Sequence, residues 1–457
     1  MSSSATAAVQ KQSEALRAAI RGRLLGPGDG EYEGARQIHN GMIDHRPAWI
    51  ARCAGAADVQ LAVNFARDHQ LPVSVMGGGH GVSGFAVSDG GLMIDLSGMK
   101  NIRVNPQTRT ARAEAGATWG DFDGATQAFG LATTGGVERT TGIGGLTLAG
   151  GYGFLMRKHG LTCDNLLSAD VVTAGGRTLV ASVEQNPDLF WGLRGGGGNF
   201  GIVTSFEFRL HPVEMVYGGL IAYPIERARE MIRRYDDFVA CAPDELGSLL
   251  VLGTLPDGTK AVILLICFCG SEQEGRRCVQ TLIAGETPVM SQLGQMPYPA
   301  VQSIVEGFNP RGLRNYWKSS FLKEVFVPAA DVMVEQFLEA PVPYTHVVLY
   351  TLGGAVARVA REATAVENRD ARHSFLIVGM WKDDSEDERN IAWVRSLSSA
   401  IEPFSSGGYY VNFESDSAAD RVQLAYGKEK FGRLQALKDK YDPANFFRLN
   451  QNIRPSE

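Results

Sequence analysis

The chain has 457 residues, 44% hydrophobic and 21% charged, with a net charge of −6 at pH 7. A core of ample size is available, the acidic balance leaves no basic footprint for nucleic acid, and no apolar run nears the roughly 18 residues of a membrane span. The cysteines at 53, 163, 241, 267, 269 and 278 form no C-x-x-C pair, so their spacing suggests neither a metal site nor a redox motif.

The opening segment, Met1-Ser-Ser-Ser-Ala-Thr-Ala-Ala, lacks the basic start and apolar stretch of a signal peptide, and a cytoplasmic protein is expected. Residues 9–24 read as a surface helix with Leu16, Ile20 and Leu24 on one face. An extended segment from 47, a helix over 57–70 and a strand over 72–75 then make a β-α-β unit. The strand runs into Met76-Gly-Gly-Gly-His-Gly-Val-Ser-Gly84, a glycine loop with one histidine inside it. Glycines let backbone N–H groups approach a ligand closely, and such a nest suits a pyrophosphate. His80 adds nothing to phosphate binding and needs another reason to be there. The loop also matches G-x-G-x-x-G at Gly79, Gly81 and Gly84. A Rossmann loop must open a helix, whereas residues 85–96 read as loop and then strand.

Strands over 92–96, 102–104 and 110–115 precede a helix with Thr118 as N-cap, packed down by Trp119 and Phe122. A second glycine field covers 134–153. Residues 166–173 and 178–181 read as a hairpin around Gly175-Gly176. A third field, Arg194-Gly-Gly-Gly-Gly-Asn-Phe-Gly-Ile-Val203, leads into a strand over 203–210. From about residue 216 glycine thins out. Strands near 248–253 and 261–267 alternate with helices near 225–240, 272–284 and 328–338, an α+β domain with a largely antiparallel sheet. In the tail, 409–413 reads as a strand, 418–441 as a helix with Phe431, Leu434 and Leu437 as its stripe, and the chain closes on a final strand bearing Asn450 and Asn452.

One glycine loop can hold a phosphate; three fields, each beside a strand, imply a longer ligand laid along the backbone. A flavin dinucleotide has the right length, and the competing reading is a set of tight turns in a glycine-rich β domain. The motifs Val75-Met-Gly-Gly-Gly-His-Gly, Gly142-Ile-Gly-Gly-Leu-Thr-Leu-Ala-Gly-Gly-Tyr-Gly, Leu161-Thr-Cys-Asp-Asn-Leu, Leu193-Arg-Gly-Gly-Gly-Gly-Asn-Phe-Gly, Tyr410-Val-Asn-Phe and Tyr441-Asp-Pro-Ala-Asn carry a resemblance. The chain resembles the berberine-bridge-enzyme-like FAD-linked oxidases of the vanillyl-alcohol oxidase superfamily, over about 40–215 and 405–455. That resemblance implies an α+β fold: a PCMH-type FAD-binding domain of two α+β subdomains from 1–215 (core about 46–215), completed by 405–457. A substrate domain, 216–404, with an antiparallel sheet and flanking helices is inserted between.

The resemblance further implies FAD bound by Met76, Gly77, Gly78, Gly79, His80, Gly81, Val82, Ser83 and Gly84. It adds Thr141, Gly142, Gly144, Gly145, Gly150, Gly151 and Gly153 from the middle field, Gly201 and Val203 from the third, and Asn450 and Asn452 from the tail. His80 would bond to the 8α-methyl carbon of the flavin. Some members carry a second tether, a cysteine after Gly-Gly-Val; here that position is Glu138, and Cys163 is not its equivalent, so a single tether is expected. Thr141, a small residue beside the flavin, leaves room for dioxygen. Strand alternation puts Tyr410 and Asn412 on one face, toward the flavin by resemblance, with Tyr410 as the group that contacts substrate and takes its proton and Tyr426 as a second candidate. A tyrosine base needs a neighbouring positive charge or a relay, and Arg358, where some relatives have a glutamate, is the residue at hand, to bind an anionic group or lower a tyrosine pKa; the competing reading is a surface strand charge. The reading is an oxidase that takes a small organic molecule (alcohol, sugar, amine or secondary metabolite) and dioxygen, with a homo-oligomer left open. A flavin dehydrogenase with another acceptor and a non-catalytic flavin-binding protein are the alternatives.

Overall fold

Parallel pairing appears where strand and helix alternate. In the computed structural model, which describes residues 13–285, 287–416 and 419–456, the strands Trp49–Arg52 and Val73–Met76 flank Leu92–Asp95 and run parallel to it. The helix Ala56–Asp68 makes the crossover and buries Val59, Ala62, Val63 and Ala66, one face at helical spacing. Arg23–Leu25 adds an antiparallel edge to this four-stranded sheet. The expected helix over 9–24 is shorter: 9–12 lie outside the described residues, helix covers 13–19, and Leu24 is buried in the Arg23–Leu25 strand. Asp58 explains the stop, because its carboxylate accepts from the Arg21 and Gly22 N–H groups and draws the chain into the sheet.

A second, antiparallel sheet has the order Ile102–Asn105, Thr110–Glu114, Ile202–Arg209, Leu166–Val172, Thr178–Ser182. Its last two strands form the expected hairpin, with Gly176 at φ 74° in the turn. Thr118 caps the helix Trp119–Gln127 through a capping box with Asp121, and Trp119 and Phe122 are fully buried. One core joins both sheets.

The third sheet is antiparallel, in the order Met290–Pro297, Met215–Pro224, Lys260–Phe268, Leu246–Thr254, His346–Thr351, His373–Trp381, Arg314–Leu322. Helices Ala228–Ala240, Glu272–Ile283, Val327–Leu338 and Asp387–Ile401 cover one face. The other face turns toward the glycine-rich half. The whole is the α+β architecture expected from the sequence. No described helix is long and apolar enough to cross a membrane.

Two expected strands are not strands. Residues 409–413 run beside the edge strand Arg314–Leu322, but Tyr410 N–H donates to Ser319 Oγ (3.2 Å) and the chain tightens into a 3-10 turn at Val411–Phe413. Residues 446–453 are irregular because side chains take the backbone bonds that a ladder would. Asp442 accepts from Phe446 and Phe447 N–H, Lys438 donates to the Phe447 carbonyl, and Asn199 accepts from Ile453 N–H. The helix Ala419–Tyr441 forms as expected, with a kink at Gly427.

Candidate active site

A cavity of about 860 Å³ lies between the glycine-rich half and the bare face of the seven-stranded sheet. Its glycine wall comes from three places: residues 77–83, which follow the strand Val73–Met76; Thr141, Gly142, Gly144 and Gly145 at the start of the helix Ile143–Leu148; and residues 197–199 with 201–203. The loops touch backbone to backbone. A Cβ at Gly78 would sit 2.4 Å from the Gly142 nitrogen, and one at Gly142 would sit 2.3 Å from the Gly78 nitrogen. At Gly81, Gly145 and Gly198 a Cβ would meet nothing within 4 Å, so these glycines widen the cavity rather than relieve a contact.

The opposite wall follows from strand alternation. Leu249, Val251 and Gly253 face the cavity, while Leu250 and Leu252 pack into the helical layer. Leu220, Leu265, Trp317, Val348 and Leu376 continue the apolar wall from neighbouring strands.

His80 is held on three sides. Its ring stacks on His39 at 4.3 Å, its Nε2 lies 2.9 Å from Thr140 Oγ1, and its Nδ1 lies 3.6 Å from a Glu138 carboxylate oxygen. Asn309 closes the circuit: its Nδ2 donates to Glu138 (3.2 Å) and its Oδ1 faces His39 Nε2 (3.1 Å). Burial, helped by His39 and Arg311, pushes the His80 pKa down to about 3, so the ring is neutral at pH 7. Burial pushes Glu138 up to about 7, against the hydrogen bond from Asn309.

Tyr410 and Asn412 both line the cavity, joined by a bond from Asn412 Nδ2 to Tyr410 Oη (3.0 Å); Gly151 N–H donates to the same oxygen (3.1 Å). The Tyr410 ring stacks on Tyr152 at 4.0 Å with Phe413 at its edge. Burial raises the Tyr410 pKa well above the usual tyrosine range, and the two N–H donors pull the other way. Tyr426 also lines the cavity, and its buried hydroxyl has no hydrogen-bond partner among the described residues.

Of the remaining residues singled out in the sequence, Asn450 lies in the wall with Gln451, whereas Met76, Gly84, Gly150, Gly151, Gly153 and Asn452 do not. Met76 packs in a small core with Ile38 and Met93, and Gly84 abuts Ile43. Gly153 is needed for packing, since a Cβ there would lie 1.7 Å from the Gly135 carbonyl oxygen. Arg358 sits on an exposed helical turn, paired with Asp244, and is no part of the cavity wall. Cys163 is fully buried, its thiol pushed up by desolvation, and lies outside the wall too, while Glu138 is in it. His39 and Asn309 carried no signal that sequence reading could use, since each reaches the site by a long-range contact from a loop without periodicity; Thr140 and Tyr152 lie inside the second glycine field, but no role could be read for them.

Whether a flavin dinucleotide fits can be judged from polar atoms left over. Tyr426 Oη, Asn450 Oδ1 and both amide atoms of Gln451 are buried, line one limb of the cavity and have no partner among the described residues. Such groups are costly unless a ligand satisfies them. They and the glycine wall suit a ligand rich in hydroxyl, carbonyl and phosphate oxygens.

The family comparisons agree with that inventory. A model of the FAD binding domain matches residues 47–182, and one described as berberine and berberine like matches 409–454. An FAD-linked oxidoreductase of Dictyostelium discoideum is 31% identical, over 95% of each chain. The (R)-6-hydroxynicotine oxidase of Paenarthrobacter nicotinovorans is 30% identical, over 95% of this chain and 97% of the relative. The crystal structure of 6-hydroxy-D-nicotine oxidase from Arthrobacter nicotinovorans superposes with a TM-score of 0.88 at 29% identity, covering 96% of this chain and 98% of that one.

Proposed function

The chain belongs to the berberine-like FAD-linked oxidoreductases, and on that premise we propose that the cavity described above holds FAD along the glycine wall and a small organic substrate against the apolar sheet face. It is an FAD-dependent oxidase of a small organic molecule. When bound, FAD supplies a hydride acceptor at N5 and returns the electrons to dioxygen, giving hydrogen peroxide. The carrying observation is the continuity of the cavity: one wall of glycine loops and polar side chains unpartnered among the described residues, one wall of leucine, valine and tryptophan, and Tyr410 with Asn412 lining the same space.

The apolar wall favours a compact apolar or aromatic substrate over an oligosaccharide. Sugar hydroxyls placed against Leu220, Leu249, Leu265 and Val348 would lose their water without gaining partners. Tyr410 is the group assigned to substrate contact and proton removal, with Asn412 and Gly151 holding its oxygen. His80 is assigned as the single covalent tether; burial keeps its ring nitrogen free of an extra proton and able to act as a nucleophile.

The test is a substrate panel read by peroxide release from the purified yellow protein. Aromatic alcohols and cyclic amines should outrun sugars, and peroxide from oligosaccharides alone would overturn the substrate assignment. For the tether, acid-precipitated protein should stay yellow and its mass should exceed that of the apoprotein by one FAD. His80→Ala should release its flavin on denaturation, and Cys163→Ser should not. A colourless wild-type precipitate rejects the tether.

A further inference from the structure

Glu138 is a partly buried carboxylate in a cavity wall that is otherwise mostly apolar. It is also the point where three separate segments meet. The 138–141 turn presents Glu138 to one nitrogen of His80 and Thr140 to the other. The 309–313 loop brings Asn309 to Glu138 and to His39, and is fastened to the 37–41 segment by backbone bonds from Gly312 N–H to His39 O and from Gly41 N–H to Leu313 O. His39 covers the His80 ring face. An imidazole meant only to fill space in a glycine loop needs none of this.

We propose that Glu138 is the positioning residue for the covalent tether: it orients the His80 imidazole and accepts the proton that a ring nitrogen must lose as it bonds to the flavin. The proposal rests on the tether assigned above. In that step one imidazole N–H bond and one C–H bond of the 8α-methyl group break, and one N–C bond forms. The two protons and two electrons released end on dioxygen, the oxidant of the enzyme's own turnover, as hydrogen peroxide. Glu138 takes the imidazole proton and returns it through solvent, the methyl proton leaves to the same pool, and the peroxide draws its two protons from it. Asn309 donates to Glu138 and fixes its rotamer.

The charged and titratable groups around Glu138 set its pH response. His80 faces it directly; Glu306, itself paired with Arg139, raises its pKa; Arg311 and His39 act on His80, and Tyr350 lies across the cavity. With Glu138 titrating at about 7 and His80 already neutral far below that, attachment should quicken as pH rises through neutrality and then level off.

The experiment uses the full chain made under riboflavin limitation and then given FAD at pH 6 to 9. Attachment is read as yellow acid precipitate against time, and binding separately as quenching of FAD fluorescence. Wild type should show the rising pH profile. Glu138→Gln should bind FAD but attach it about tenfold or more slowly, in keeping with loss of a general base, and without the profile. Glu138→Asp, which keeps a carboxylate, should recover part of the rate and the profile, and it carries the comparison alone if the Gln protein binds no FAD. Attachment in the variants at the wild-type rate and with the wild-type profile would overturn the role of Glu138 and leave the tether standing. A colourless wild-type precipitate would remove both.

Discussion

At the scale of single residues, Tyr410 poses the sharpest question, because its surroundings work against ionisation. Burial holds its pKa above the ordinary tyrosine value, and Asn412 and Gly151 only partly offset that. The phenol is neutral at pH 7, and the basic form grows as pH rises. If Tyr410 removes the substrate proton, anaerobic flavin reduction should accelerate toward alkaline pH. Tyr410→Phe should lower that rate by about 10²–10⁴-fold and flatten the profile, with flavin content and reoxidation unchanged. Near-normal reduction in Tyr410→Phe would leave the residue with a packing role against Tyr152. Asn412→Ala removes one donor to the oxygen and should move the rise to higher pH. The pairing of Tyr410 with Asn412 was legible in the sequence for the wrong reason: alternation on a strand suggested it, and a hydrogen bond within a 3-10 turn makes it. The positive charge that the sequence offered, Arg358, is spent on Asp244 instead. Nothing local distinguishes an arginine facing a cavity from one facing an aspartate 114 positions away.

At the scale of elements, the strands and helices bounded by turn chemistry were readable. The Thr118 cap, the Gly175-Gly176 hairpin and the β-α-β unit each announce themselves by local residue types and periodicity. Segments 409–413 and 446–453 were not, because the side chains of distant Ser319 and Asn199 and of nearby Asp442 and Lys438 capture their backbone groups. The seven-stranded sheet gives a paired prediction. Leu250→Ala opens a void under the helical layer and should cost about 2–5 kcal/mol in urea unfolding. Leu249→Ala, one residue earlier, merely enlarges an existing cavity; it should cost less and appear instead as a changed KM. Equal losses would mean that the two faces are not the distinct surfaces described. Where glycine loops touch, Gly142→Ala forces a Cβ against the Gly78 nitrogen and should lower FAD retention on gel filtration, with overpacking of about 1–3 kcal/mol.

At the scale of the whole molecule, a partly buried ion cluster clasps the returning C-terminal segment to the seven-stranded sheet. Lys318 reaches Glu414 at 2.7 Å and Asp416 at 2.6 Å, with Arg421 on the far side of Glu414. Lys318→Ala leaves Glu414 to Arg421 and half-buried Asp416 to Tyr316 and Arg395, and should destabilise the fold by about 1–3 kcal/mol in denaturant unfolding. Burial opposes ionisation of Asp416, but the bond and charge of Lys318, with the Tyr316 hydroxyl and Arg395, together outweigh it and hold its pKa below the usual value. A depressed carboxylate stabilises the fold above its unfolded pKa and loses that contribution as pH falls through the folded one. Acid should therefore weaken wild type more steeply than Lys318→Ala, a difference visible in melting temperatures between pH 6 and 3. The same return of the chain has a bearing on biogenesis. Segment 77–83 is made early, whereas Phe447, Leu449, Asn450 and Gln451, which line the same cavity, come last. A nascent polypeptide has only half a receptacle until those residues have left the ribosome, so flavin loading is expected to follow their synthesis, and a host short of riboflavin should accumulate colourless chains.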